Sequence, residues 1–200
     1  MRYRIKICGT SPLIMHNGAA GLDTRSPANV EKAIIAKKRG SNRTAADDER
    51  LRELECQISL WLNEEYKPTV PATALRAMLE ESARKLKQGP QVREGLIVDK
   101  VEEFEYDTEA LGVTLEELGK NAQFTVPVVV QRARILRTRA KFDKWALTFT
   151  VDSDEEQVDE QQLCSWLIIG GSRIGIGDWR PSKSGFHGRF ETESVEEIPD

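Results

Sequence analysis

The chain is poor in the residues that small metal and redox sites need. It has two histidines, His16 and His187, and three cysteines, Cys8, Cys56 and Cys164, with no zinc-binding spacing among them. The cysteines are far apart in apolar surroundings, which argues against a disulfide framework and predicts buried thiols. No stretch approaches the roughly 18 apolar residues of a membrane span. The start, Met1-Arg2-Tyr3-Arg4-Ile5-Lys6, lacks the apolar run of a signal peptide. A cytoplasmic protein with no membrane partner, no metal and no cofactor is expected. Internal repeats and low-complexity tracts are also missing.

What is present is enough for one core: 200 residues with 39% hydrophobic content fit a single domain, 1–200, carrying a helical insertion over 19–63. The net charge of −4 hides an uneven distribution. From Arg132 to Lys141 there are five cations and no carboxylate, whereas from Asp152 to Glu160 there are six carboxylates and no cation. Such separation can create a basic face on an acidic protein, or complementary ends for self-association. The acidic run lacks the glycine and the spaced bidentate acid of a calcium loop and reads as a solvated turn.

Residues 2–8 alternate, with Tyr3, Ile5 and Ile7 on one side and Arg2, Arg4 and Lys6 on the other, as a half-buried strand does. Ser11 to Ser26 reads as a loop carrying His16. Pro27 opens a short helix to Lys38, ended by the breaker Arg39-Gly40-Ser41-Asn42. Leu51, Leu54, Ile58, Trp61 and Leu62 predict a helix from Thr44 to about Asn63, and Leu75, Met78, Leu79 and Leu86 a second one to about Gln88. Leu96 to Tyr106 predicts a strand with an acidic outer edge, and Thr114 with Glu117 a capped helical turn. Phe124 to about Ile135 reads as one strand, and Trp145 to Val151 as a clearer one. Asp159 and Gln162 cap a helix that ends at Gly170-Gly171, and Phe186 to Val195 is the last strand.

With 124–135 as the second framework strand and the acidic strand near residue 100 as an extra, the order is strand, helix, strand, strand, helix, strand. That is an α+β, ferredoxin-like βαββαβ core, with helices on one face of a four-stranded antiparallel sheet. The other face and the loops are left for partners.

Two segments stand out for chemistry. Gly170-Gly171-Ser172-Arg173-Ile174-Gly175-Ile176-Gly177-Asp178-Trp179-Arg180 follows a helix and precedes a strand. Phosphate loops of nucleotide enzymes run the other way, glycines leading into a helix N-terminus, so a nucleotide pocket of that kind is not expected here. Instead Arg173, Arg180, Lys183 and Arg189 offer cations, while Trp179, Phe186 and His187 offer flat faces, each worth roughly 1 to 3 kcal/mol when a base stacks on it. The second segment is Arg132, Arg134, Arg137, Arg139 and Lys141, whose guanidinium forks match phosphate oxygens. If all five met phosphates of one strand, binding would fall roughly 100-fold between 50 and 200 mM salt.

Three stretches give the chain a resemblance to the RAMP-type proteins of CRISPR effector complexes, particularly their backbone subunits. Ile5-Lys6-Ile7-Cys8-Gly9-Thr10-Ser11-Pro12-Leu13 resembles the family's first strand and turn. Val70-Pro71-Ala72-Thr73-Ala74-Leu75-Arg76-Ala77-Met78-Leu79-Glu80 is similar to its Pro-x-x-x-Leu-Arg helix opening. The segment from Gly170 to Arg189 sits where the family has its glycine-rich loop, although family loops hold more arginine among the glycines. The likeness covers about half the chain and leaves Ala19 to Asn63 uncovered. A similarity to small bacteriophage proteins is noted as well.

The resemblance implies an RRM-like core and a non-catalytic subunit that lines single-stranded nucleic acid, RNA ahead of DNA, and stacks on copies of itself and on other effector subunits. The inserted helices from Pro27 to Asn63 would reach the next copy. An enzymatic alternative is a metal-independent endoribonuclease of the same superfamily, with His16 as general base and His187 as a second proton-transfer group. An interaction alternative is a phage-encoded mimic that co-assembles with a host complex and inhibits it. The leading expectation assigns no catalytic residue. Its nucleic-acid contacts are His16, Arg132, Arg134, Arg137, Arg139, Lys141, Arg173, Trp179, Arg180, Lys183, His187 and Arg189.

Overall fold

The alternation at the start makes β1 (Arg2–Gly9), in which Tyr3, Ile5 and Ile7 are buried and Arg4 is exposed. The computed structural model describes residues 1–130 and 133–199. After β1 come β2 (Leu13–Met15), α1 (Gly18–Leu22), α2 (Pro27–Lys37) and α3 (Ala45–Ser59). Next are α4 (Ala72–Lys85), α5 (Gly89–Gly95) and β3 (Leu96–Tyr106), then α6 (Thr108–Leu111) and α7 (Leu115–Asn121). The strands β4 (Gln123–Val130), β5 (Ala133–Phe142) and β6 (Trp145–Ser153) lead to α8 (Glu160–Ile169) and β7 (Phe190–Ile198). The chain is thus mixed helix and strand, with antiparallel sheets. Among the described residues no helix is long and apolar enough to cross a membrane.

The chain divides into two compact units. Residues 1–14, 68–106 and 142–200 form the first, and 15–67 with 107–141 form the second. The segment 19–63, expected as an insertion, therefore lies within the second unit together with a later stretch.

The first unit holds a four-stranded sheet in the order β3-β6-β1-β7, every neighbour antiparallel. Its core combines Ile5 and Ile7 of β1, Leu147 and Phe149 of β6, Leu75 and Leu79 of α4, and Leu163 and Trp166 of α8, all buried. Trp166 solves the problem of a buried indole N–H by donating to Oε1 of Gln88 at 2.8 Å. Asp159 and Gln162 form the expected capping box of α8.

Two framework roles are exchanged relative to the sequence reading. The acidic strand β3 is not an extra: it pairs with β6 from Leu96 opposite Ser153 to Tyr106 opposite Trp145. Asp99, Glu102 and Glu105 are answered by Arg2, Arg4 and Lys6 of β1, which makes an acidic strand acceptable beside β6. The segment 124–135 is not one strand but the larger part of the hairpin of β4 and β5, in the second unit. The reversal was missed because the chain between the two strands carries no glycine or proline to signal a turn.

In the second unit α3 packs against α2, α7 and β4. Two capping boxes, Thr44 with Asp47 and Thr114 with Glu117, start α3 and α7. The expected loop 11–26 contains β2 and α1, the latter capped by Asn17. The predicted helix to Asn63 ends at Ser59, where Leu60 turns extended. β5 is the middle strand of a three-stranded sheet in the order β2-β5-β4. Two of its backbone donors go to side chains of α3 instead of to a strand: Thr138 N donates to Oε2 of Glu55 at 2.9 Å and Ala140 N to Oγ of Ser59 at 2.7 Å.

Candidate functional site

The glycine-rich turn is built from the end of α8. The helix does not stop at Gly170 but widens into a π-helical turn over Gly170–Ile174. A side chain cannot enter there, since a Cβ at Gly171 would lie 2.0 Å from the Phe190 carbonyl oxygen. From Ile176 onward the backbone is tied on both sides. Ile176 N donates to Gly188 O at 2.9 Å, Gly188 N to Pro12 O at 2.8 Å, His187 N to Trp179 O at 3.1 Å and Asp178 N to Ile14 O at 2.8 Å. The last strand consequently starts at Phe190 rather than at Phe186. Phe186 stays in the turn, 67% exposed.

Trp179 has φ near +50°, a left-handed conformation that costs a non-glycine residue about 1 to 2 kcal/mol. Its half-buried ring stacks with the buried His187, centroids 6.3 Å apart and planes 22° from parallel. Phe186 lies 4.4 Å from His187 by the same measure. The result is a fixed turn with layered rings, of which Phe186 is the outermost.

The four cations of this turn divide into two pairs. Arg180 folds back on its own loop, Nη1 donating to Gly177 O and Nε to Ser182 Oγ, each at 3.1 Å, with Glu81 of α4 at 3.9 Å from Nη2. Arg189 donates through Nη1 to the carbonyl of Ser172. Both hold the turn together. Arg173 and Lys183 are exposed.

The arginine strip lies in the second unit, whereas the turn belongs to the first. Arg132 is outside the described residues. Arg134 is exposed, on the opposite side of β5 from Arg137, Arg139 and Lys141, because strand side chains alternate. The four described cations therefore do not form a single row. Nη1 of Arg137 donates to Oε1 of Glu55 at 3.0 Å, and Nζ of Lys32 lies 2.9 Å from the same oxygen. Lys141 stands over the ring of Phe124, 5.4 Å from its centroid. Arg139 is half-buried beside Thr138.

The open face of the four-stranded sheet, which the sequence left for partners, carries a charge ladder. Arg4 and Lys6 of β1 reach over Thr150 and Thr148 of β6 to Glu102 and Glu105 of β3, while Arg2 meets both Asp152, opposite it on β6, and Asp99 of β3. Lys6 also faces Glu193 of β7 at 3.4 Å. Each of these three cations is met by at least one carboxylate.

His16 is exposed and lies in the second unit; His187 is buried and lies in the first. Among the described residues no cluster of three or more histidine, cysteine or acidic side chains could hold a metal ion. Cys56 is buried as expected, which pushes its thiol up to about 12. Cys8 and Cys164 are only half-buried. Cys8 falls on the open side of β1, where its hydrogen bond to Glu193, with burial second, pushes its thiol up to about 11. Neither thiol supplies a thiolate nucleophile at neutral pH.

The residue that sequence reasoning missed is Glu55. It sits among the ordinary charges of a long helix, and only the fold brings Lys32, Arg137 and the backbone of β5 to it. No protein-family model matches the chain, and no curated protein matches it.

Proposed function

We propose that the chain is a cytoplasmic, non-enzymatic protein that binds single-stranded nucleic acid, RNA ahead of DNA, in repeated copies along the strand, as RAMP-type subunits do. The path β1-α4-β3-β6-α8-β7 with the sheet order β3-β6-β1-β7 supports a ferredoxin-like, RRM-like core as its framework. On this reading the second unit is inserted twice, between β1 and α4 and between β3 and β6.

The observation that carries the reading is the turn of residues 170–189, in which Arg173, Lys183 and Phe186 are exposed and the ring of Phe186 rests on the buried His187, itself stacked with Trp179. Cations for phosphates beside flat faces for bases are what a sequence-tolerant single-strand site requires. A rigid backbone lowers the ordering cost of binding. Because Arg180 and Arg189 hold the turn together, its phosphate contacts are fewer than the sequence suggested. Two phosphates, met by Arg173 and Lys183, give a fall of roughly 7-fold between 50 and 200 mM salt, from about −0.7 per contact.

Fluorescence anisotropy with labelled RNA and DNA strands of about 30 nucleotides tests this, the length allowing several copies of a module that covers ~4 to 16 nucleotides. The expected result is saturable binding that weakens roughly tenfold or more in Phe186→Ala. Size-exclusion chromatography read at two absorbances then gives copies per strand. A wild-type protein that ignores every strand at low salt overturns the proposal.

A further inference from the structure

The second unit contains a cleft of about 390 Å³ between α2, α3 and the β4–β5 hairpin. Its volume falls within the range of small-molecule sites, ~300 to 1,000 Å³, and exceeds what a bare inorganic anion fills. Its charged walls hold four cations, Lys32, Arg43, Arg52 and Arg137, against two carboxylates, Asp48 and Glu55.

The pairing inside the cleft shows where positive charge is left over. Arg43 faces Asp48 at 2.7 Å. Glu55 meets two cations, Lys32 and Arg137, with one negative charge. The partner of Arg52 is Glu49, which does not line the cleft. All four cations are between 31% and 39% exposed, so they reach an incoming anion without large desolvation.

The remaining wall suits an organic body. Leu51 and Leu136 supply apolar surface, Leu136 with 62% of its area open to contact. Thr125 and Thr138, with hydroxyls 2.9 Å apart, supply donors and acceptors at one edge. We infer that this cleft is a site for a phosphate monoester carried on a flat body of nucleoside size. The choice of a nucleoside as the body rests on the single-strand reading above. The phosphate would meet Arg52 and the surplus charge at Lys32 and Arg137, and the base would lie against Leu51 and Leu136.

Calorimetric titration of the full chain with AMP and UMP, with adenosine and uridine, and with inorganic phosphate tests the inference. The monophosphates are expected to bind saturably, with nucleosides and inorganic phosphate at least ~10-fold weaker. Arg52→Glu, a change at a half-exposed helix position, is expected to weaken the monophosphates by roughly tenfold or more, and Leu136→Asp similarly. Absence of saturable monophosphate binding, or binding untouched by both variants, overturns the site. Strands with and without a 5′-phosphate identify the source: tighter binding of the phosphorylated strand assigns a strand end, and equal binding assigns a free nucleotide. The double variant Arg173→Glu with Lys183→Glu separates this site from the turn, because it weakens long strands and leaves monophosphates unchanged. Long strands that bind while monophosphates do not leave the turn standing and remove the cleft; the opposite pattern removes the strand reading alone.

Discussion

Nη1 of Arg137 lies 3.0 Å from Oε1 of Glu55, a carboxylate whose side chain is only 11% exposed. Lys32 shares that oxygen, and the other oxygen accepts the backbone N–H of Thr138. Replacing Glu55 with Gln keeps the shape and an acceptor but removes the charge that two cations share. Loss of a partner in a fully buried pair costs about 3 to 5 kcal/mol. These cations are a third exposed, so the expected loss is about 1 to 2 kcal/mol by urea denaturation. The same variant should bind AMP and UMP more tightly at low salt, having removed the carboxylate that Lys32 and Arg137 share. Unchanged stability would mean that the network is ornamental.

The ladder on the open sheet face leads to a negative expectation. Nε of Arg4 is 3.0 Å from Oε2 of Glu102, across the small residues of β6. An exposed pair of this kind is worth about 0 to 1 kcal/mol. Arg4→Ala should therefore change stability by less than about 1 kcal/mol and strand affinity by less than about twofold, because its charge is already met. A large loss of strand affinity would show that nucleic acid displaces the ladder, and would move the interface from the turn to the sheet.

Much of the framework was legible because burial and local chemistry speak through spacing. The period-two pattern in β1 and the capping residues of α7 and α8 gave those elements near their observed bounds. The hairpin of β4 and β5 was not legible, since β5 reads as a continuation of the strand before it and the sequence between them holds no glycine or proline. The acidic strand β3 looked peripheral because its partners, Arg2, Arg4 and Lys6, are nearly one hundred positions away. At the candidate site the residue types were legible but their employment was not. Arg180 and Arg189 look like phosphate ligands in a sequence, and only the closed turn shows them binding its own carbonyls.

Gly188 tests how rigid that turn is. It has φ near +68°, and a Cβ there would lie 1.8 Å from the carbonyl oxygen of Ile176, the residue whose N–H donates to Gly188 O. Gly188→Ala combines a disfavoured backbone conformation with a clash that no side chain can relieve. An expected loss of about 2 to 4 kcal/mol, with faster amide exchange across residues 175–189, would locate the effect in the turn. Exchange that speeds up equally throughout the chain would mean that the turn is part of the global core instead.

Asp47 provides a pH-dependent check on α3, the helix that carries Glu55. A hydrogen bond from Lys38, with Nζ at 2.6 Å, together with the backbone N–H of Thr44 holds its carboxyl down at about 2. Its folded value is depressed below the ordinary aspartate value of about 3.9, so the folded state gains from ionisation. That gain is complete above the ordinary value and is lost as pH falls through it to about 2. Carbon-detected NMR titration should place the Asp47 midpoint well below those of exposed aspartates, and Lys38→Met should raise it. The capping box at Thr44 should then loosen at a higher pH in the variant than in the wild type. An Asp47 midpoint near the ordinary value in the wild type would show that the Lys38 contact does not persist in solution.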